Sequence, residues 1–313
     1  MTASAARDEI VILGVFVADT AFRAERMPRM GETVLGRGFA LGPGGKGSNQ
    51  AVAAARAGGR VRFISRLGRD AFAAMAHELW TQAGVTPDVT EDPGSYTGAA
   101  MIFIDAATGD NAIIVSPGAA GLIGPQDVTA RADAIRGARI FMTQLEQPMD
   151  AAMTGLRLAR EGGATTILNP APAAPLPDGA LALCDLITPN ESEAALLTGL
   201  PVDGPADAER AARALRAAGA GAVVVTLGEK GALYVDASGA AHVPPFHAGQ
   251  VVETTGAGDA FNAGMAVALA EGRPPLEAAR FGCATAAISV TRAGAAAAMP
   301  TRAEIEALLA AAR

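Results

Sequence analysis

The 313-residue chain is poor in several residue types at once: two cysteines, two lysines, three histidines and only 4% aromatic residues. Cys184 and Cys283 lie far apart and without metal-ligand spacing. No disulfide framework or cysteine metal site can be built from them, and a reduced, cytoplasmic setting is expected. Each reads as a small buried apolar residue. No apolar run reaches the roughly 18 residues that a membrane span needs. The apolar stretch Ile10 to Ala18 follows Asp8 and Glu9, where a secretory leader would be basic, so it reads as a buried first strand. The 25 basic residues are outnumbered by 32 acidic ones and do not cluster, and the net charge is −7. Neither nucleic acid nor a membrane is therefore expected as a partner.

What the chain has is apolar bulk, 50% of its residues, enough for one large α/β domain. Apolar runs at Glu9 to Val17, Val61 to Ser65, Ile140 to Thr143, Thr165 to Leu168, Leu186 to Thr188 and Ala222 to Leu227 predict strands buried on both faces. Between and after them, Asn49 to Ala57, Asp70 to Ala83, Met149 to Glu161, Asp207 to Ala218, Gly258 to Glu271, Leu276 to Ser289 and Arg302 to Ala312 have helical spacing. Alternating strand and helix predicts a three-layer α/β/α domain over residues 1–313, with a mainly parallel central sheet. Thr33 to Leu41, and Thr97 to Ile104 with Ala112 to Ser116 joined by the turn at 107–110, break that rhythm. They predict a small β-lid inserted at about 33–41 and 97–116.

Two glycine-rich loops carry the chemistry. Thr255-Gly256-Ala257-Gly258-Asp259 runs straight into a helix, where small residues let an anion approach the free N–H groups of the first turn. An aspartate opposes a bound phosphate, so Asp259 makes chemical sense as the acceptor of a proton from an attacking hydroxyl. A simple helix cap remains the plainer reading. Gly42 to Gln50 is the second loop. It is not a phosphate-binding loop of the G-x-x-x-x-G-K-[ST] type, because position 40 is Ala and position 47 is Gly. A polyol site is one reading, with Gly45, Lys46, Gly47, Ser48 and Asn49 donating to hydroxyls, and a helix start capped by Ser48 or Asn49 is the other. Both lysines of the chain, Lys46 and Lys230, stand in glycine-rich loops, where a compact ammonium and a guanidinium fork differ most.

Asp19 and Glu146 each lie just past a strand, and Asn190 and Glu193 lie three apart at a helix start, a spacing suited to magnesium-bound water. Each of these is by itself commonly a cap or a solvated carboxylate. With Asn169-Pro170-Ala171-Pro172-Ala173, Ile187 to Glu191 and Val225 to Gly231, these motifs together resemble the ribokinase-like, phosphofructokinase B-type carbohydrate kinases over nearly the whole chain, in that family's order.

The resemblance implies phosphoryl transfer from ATP to the hydroxymethyl oxygen of a pentose, D-ribose first, with 2-deoxyribose, a ketohexose or a nucleoside as alternatives. A sugar sensor without catalysis is a further alternative, which the presence of Asp259 opposes. The family's pattern makes Asp259 the base and Gly256, Ala257 and Gly258 the anion hole. Asp19, Gly45, Lys46, Gly47, Ser48, Asn49 and Glu146 would hold the sugar. Asn190, Thr226, Leu227, Gly228, Glu229, Lys230, Gly231, Gly258 and Cys283 would lie along the nucleotide, and Glu193 would act on Mg2+ through water. A monovalent cation, K+, would be held by Glu253, Thr255, Ser289, Arg292, Gly294 and Ala298, mainly through backbone carbonyls. A homodimer clasped through the lids is also implied. The chain departs from the family's pattern at Val17, where an asparagine is usual, and at Glu253 and Ala298 of the cation loop.

Overall fold

The computed structural model describes residues 8–312. Its strands, in chain order, are β1 (Glu9–Leu13), β2 (Val17–Ala24), β3 (Gly38–Gly44), β4 (Arg60–Leu67), β5 (Thr86–Glu91), β6 (Thr97–Asp105) and β7 (Asn111–Gly118). They continue with β8 (Ile140–Thr143), β9 (Thr165–Leu168), β10 (Leu186–Ile187), β11 (Ala222–Thr226), β12 (Ala232–Val235) and β13 (Ala240–Val243). The helices are α1 (Lys46–Arg56), α2 (Ala71–Ala83), α3 (Pro125–Thr129), α4 (Ala132–Gly137) and α5 (Met149–Gly162). After them come α6 (Glu191–Thr198), α7 (Pro205–Ala217), α8 (Ala257–Ala270), α9 (Pro275–Ser289) and α10 (Arg302–Ala311).

Nine strands form the body sheet in the order β13-β12-β11-β10-β9-β8-β1-β4-β5, parallel except where β12 runs against both of its neighbours. Successive side chains of a strand point to opposite faces, and here both faces are dry. Ile10 and Ile12 of β1 join the core under α1, α2, α8, α9 and α10, whereas Val11 and Leu13 join the core under α3, α4, α5 and α7. Trp80 anchors the first core. It is fully buried, meets Phe16 and Phe63 edge-on at 5.8 and 5.1 Å, and donates its indole N–H to Ser48 Oγ at 2.9 Å. Truncating such a side chain costs about 3–5 kcal/mol.

The alternating helix and strand expectation holds for the body, and the fold is the predicted mainly parallel α/β type with a separate small sheet. Two boundaries differ. The run Glu9 to Val17, expected as one strand, stops at Leu13, because β1 turns at Gly14 directly against Gly47 of α1. A Cβ on Gly14 would lie 2.7 Å from the Gly47 Cα, so the close approach needs glycine there. Val17 consequently opens β2, a lid strand that was not expected. The lid strand expected over 33–41 begins only at Gly38 and ends at Gly44. The lid is thus four-stranded, β3-β2-β6-β7, and its strands fall within residues 17–44 and 97–118 rather than 33–41 and 97–116. Edge strand β5, the β12–β13 hairpin and the short helices α3 and α4 were also not expected.

Strand β1 lies between β8 and β4, so the chain leaves it in opposite directions on its two sides. That reversal opens a crevice at the carboxyl ends of the strands, where open α/β sheets bind ligands. The lid rises from the same edge, on β2 and β3 between β1 and α1.

Candidate active site

Helices α1 and α8 both begin at the crevice, and both begin on a left-handed or otherwise positive-φ glycine. Gly45 precedes α1 with φ 89° and Gly256 precedes α8 with φ 78°, and neither has a side chain to cap the helix. At Gly45 a Cβ would meet the Val15 carbonyl at 2.5 Å, and at Gly44 it would run into the Asp19 carboxylate. Gly258 is different: it is exposed, and a Cβ there would meet nothing within 4 Å. Packing within the chain does not require glycine at 258, whereas an anion seated on the first turn of α8 would.

Asp259, in that first turn, is 6% exposed. Its Oδ2 accepts from Asn49 Nδ2 and its Oδ1 from Gln50 Nε2, both at 3.0 Å. Burial raises the pKa of this carboxyl, while the Lys46 charge and the two amide bonds oppose the rise by favouring the ionised form. Lys46 opens α1, and its backbone N–H donates to Glu146 Oε2 at 2.7 Å. Glu146 is pushed up to about 7 chiefly by burial; the Lys46 N–H and charge work against that, and the charges of Asp259 and Asp19 add to it. Asp19 is pushed up to about 6 by burial. The Lys46 charge therefore acts on three carboxyls, those of Asp259, Glu146 and Glu193. Asn49 Oδ1 is buried and has no partner among the described residues, which leaves an acceptor for a ligand hydroxyl.

Asp19 lies past β1 as expected, within the lid strand β2, paired with Gly42 and Ala100. Glu146 lies beyond β8 as expected. On the other side of the crevice, Asn190 and Glu193 form a reciprocal cap of α6: Asn190 Oδ1 accepts the Glu193 N–H and Glu193 Oε2 accepts the Asn190 N–H, both at 2.8 Å. The plain cap reading is therefore realised. Glu193 Oε2 is engaged there, and the carboxyl is raised by burial, an effect that the Lys46 charge lowers and that of Asp259 increases. Asn190 bridges to Thr226 at the ends of β10 and β11, and Gly228–Lys230 make a short helical turn closed by Gly231 at φ 88°. His242 of β13 bonds the Lys230 carbonyl at 2.7 Å.

The remaining expected residues are less exposed to the crevice or apart from it. Cys283 is buried in α9 at 7% exposure among core residues, and burial pushes its thiol up to about 12. Glu253 accepts the Gly294 N–H at 2.8 Å, and Val252 and Glu253 both donate to the Val290 carbonyl, so the two segments of the expected cation loop are tied together. Arg292 pairs with Glu304. Among the described residues no group of three or more His, Cys, Asp or Glu could hold a metal ion.

Three residues of the site were missed from sequence. Gln50, Gln144 and Asn262 are buried amides in one network with Asn169 and Thr188. The available signal was Gln50 itself, a second amide directly after Asn49 in a helix otherwise rich in alanine.

The family model for pfkB family carbohydrate kinases matches residues 7–302. The chain is 38% identical to the ribokinase of Haemophilus influenzae over 299 residues, 95% of this chain and 97% of that protein. It is 36% identical to the deoxyribokinase of Salmonella typhimurium over 255 residues, 81% and 83% of the two chains. Among solved structures, Arabidopsis thaliana ribokinase complexed with ribose and ATP superposes with a TM-score of 0.91 at 31% identity, covering 97% of this chain and 99% of that one.

Proposed function

The chain belongs to the pfkB family of carbohydrate kinases, and we propose that it transfers the γ-phosphoryl group of ATP to the hydroxymethyl oxygen of D-ribose, giving D-ribose 5-phosphate and ADP. The observation that carries this reading is a buried carboxylate, Asp259, held by two amides beside an uncapped helix start. Asp259 takes the proton of the sugar hydroxyl as that oxygen bonds to the γ-phosphorus. The bond from phosphorus to the bridging oxygen breaks, and ADP carries away the electron pair. The N–H groups at Gly256 to Gly258 and the α8 dipole favour the charge that builds on the transferring group. Asp19, Glu146 and Asn49 orient the sugar, and the loop from Thr226 to Gly231 with Asn190 cradles the nucleotide. A silent sugar sensor would have no use for a base poised in this way.

Magnesium fits the residues present. With no protein cage among the described residues, it would be held by the nucleotide phosphates and by water bonded to Glu193. Bound there, it would neutralise phosphate charge. A monovalent cation would be held mainly by backbone carbonyls of the two segments that the Gly294–Glu253 bond ties together; with Glu253 and Ala298 departing from the family's pattern, potassium is expected to stimulate rather than to be indispensable. No helix among the described residues is long and apolar enough to cross a membrane. Two buried free thiols and an ATP donor suit a reducing cytoplasm.

The lid leaves Phe22, Phe39, Leu41 and Ile114 between 45 and 63% exposed on one face. A second copy covering that face, lid against lid, would remove this surface from water.

A second reading is favoured by Val17. It lies two residues before Asp19 on β2, is 7% exposed, and offers no hydrogen bond to a sugar hydroxyl. A hydroxyl buried against valine loses its water unpaired, which would favour 2-deoxyribose. ADP release measured with D-ribose, 2-deoxyribose, fructose and adenosine tests both readings. Turnover led by a pentose supports the proposal; no turnover with any of the four sinks it.

A further inference from the structure

We propose that Gln50 is a positioning residue that holds Asp259 as a base, an inference that rests on the proton-accepting role assigned above. Gln50 is fully buried at the start of the second turn of α1. Its Nε2 donates to Asp259 Oδ1 at 3.0 Å and to Asn169 Oδ1 at 3.1 Å, and its Oε1 accepts from Gln144 Nε2 at 2.5 Å. The direction of this amide is set from outside. Asn169 uses its own Nδ2 on the Thr188 carbonyl at 3.1 Å, so only its oxygen is left to face Gln50. Turned over, Gln50 would set its oxygen against two other oxygens and its nitrogen against the Gln144 nitrogen. The carboxyl ends of β8, β9 and β10 thereby fix which atom of Gln50 meets the base.

With Asn49 on Oδ2, Gln50 completes a pair of N–H donors, one to each carboxylate oxygen. Such bonds favour the ionised form and fix the plane of the group. The charged groups coupled to Asp259 are Lys46 of α1, Glu146 beyond β8 and Glu193 of α6, and Asp19 of the lid strand β2 acts in turn on Glu146. All four are kept in the variants below, so a change in titration reports on the amide.

The test is kcat against pH for wild type, Gln50→Met, Gln50→Glu and Gln144→Met, with sugar affinity followed by calorimetry. Losing one donated bond should move the acid limb of kcat up by about one pH unit, and so lower kcat about tenfold at any pH on that limb. Gln50→Glu, which keeps the shape but sets a carboxyl against the base, should move the limb further. Gln144→Met, which touches only the far side of the amide, should move it less. Sugar affinity should change by less than about threefold. If Gln50→Met does not fold, Gln50→Glu reads the same limb. A limb that stays in place, including one under a kcat lowered equally at every pH, overturns the proposal. An Asp259→Asn variant that still turns over would instead overturn the base assignment itself, so the two failures are told apart.

Discussion

The body sheet and the lid sheet use similar apolar strands but complete themselves differently. In the body, side chains of β1 alternate between two cores, each roofed by helices of the same chain. In the lid, Phe39 and Phe103 flank Phe22 in one cross-strand row, Leu41, Thr20, Met101 and Ile114 form the next row on the same face, and Phe22, Phe39, Leu41 and Ile114 stay exposed. Phe22 and Phe39 rest against each other at 5.1 Å, yet both stay largely in water. The body is therefore self-sufficient, whereas the lid has two faces to satisfy: the proposed function turns Asp19 toward the sugar and the aromatic face toward a second copy. The raised carboxyls Asp19 and Glu146 sit at the seam between the two regions, where burial costs the ligand-free fold and, on the proposed function, would serve binding.

The largest expected effect breaks the lid alone. Phe22→Glu combined with Ile114→Glu removes two apolar side chains from the proposed copy-to-copy face, each worth about 1.5–3 kcal/mol when buried. Dimer dissociation should strengthen more than about a hundredfold by that arithmetic, while the melting temperature of the body hardly moves. Light scattering with thermal melts checks both. A variant that stays as associated as wild type would show that this face is not the contact.

A middle-sized effect is expected at the seam. The raised Glu146 contributes stability that is present below the unfolded carboxyl range near 4.5 and is lost as pH rises through about 7. Glu146→Gln keeps an acceptor for the Lys46 N–H and removes the buried charge, so at pH 8 the ligand-free protein should gain on the order of 1–2 kcal/mol, or about 1.5–3 °C. Sugar affinity should fall about tenfold in the same variant. In wild type, sugar KM should rise as pH falls from 8 to 5.5, because Asp19 and Glu146 take up protons and lose their acceptor strength. Differential scanning fluorimetry and KM against pH measure these; a variant less stable than wild type at pH 8 contradicts the account.

The smallest effect is at Val17. Val17→Asn should raise kcat/KM for ribose relative to 2-deoxyribose, by about a factor of three to ten if a hydroxyl points there. An unchanged ratio means that Val17 does not read this hydroxyl.

The same contrast governs what could be read from sequence. Body strands announce themselves as apolar runs, Ala222 to Leu227 interrupted only by Thr226 and Val61 to Ser65 legible despite Arg62. Strand β5 does not, because it is an edge strand with polar residues and Pro87. Strand β2 was hidden because its apolar start continues the run of β1; only the meeting of Gly14 with Gly47, distant in sequence, divides them. At the site, Lys46, Asn49 and Asp259 were legible because each stands in a local glycine-rich motif. The amide network was not, because Gln50, Gln144, Asn169, Thr188 and Asn262 come from five separate elements and share no motif. Glu193 was legible both as a cap partner and as a candidate beside magnesium-bound water, and its bond to the Asn190 N–H realises the first.

The central claim is that Asp259 removes the proton of the hydroxyl that attacks ATP. The most direct measurement is single-turnover formation of sugar phosphate by wild type and Asp259→Asn, with sugar affinity measured on the same samples. Asparagine keeps the shape of the side chain and cannot take up the proton, so the rate should fall by about a hundredfold or more while affinity stays within a few-fold. An Asp259→Asn protein that forms sugar phosphate at near the wild-type rate would contradict the claim.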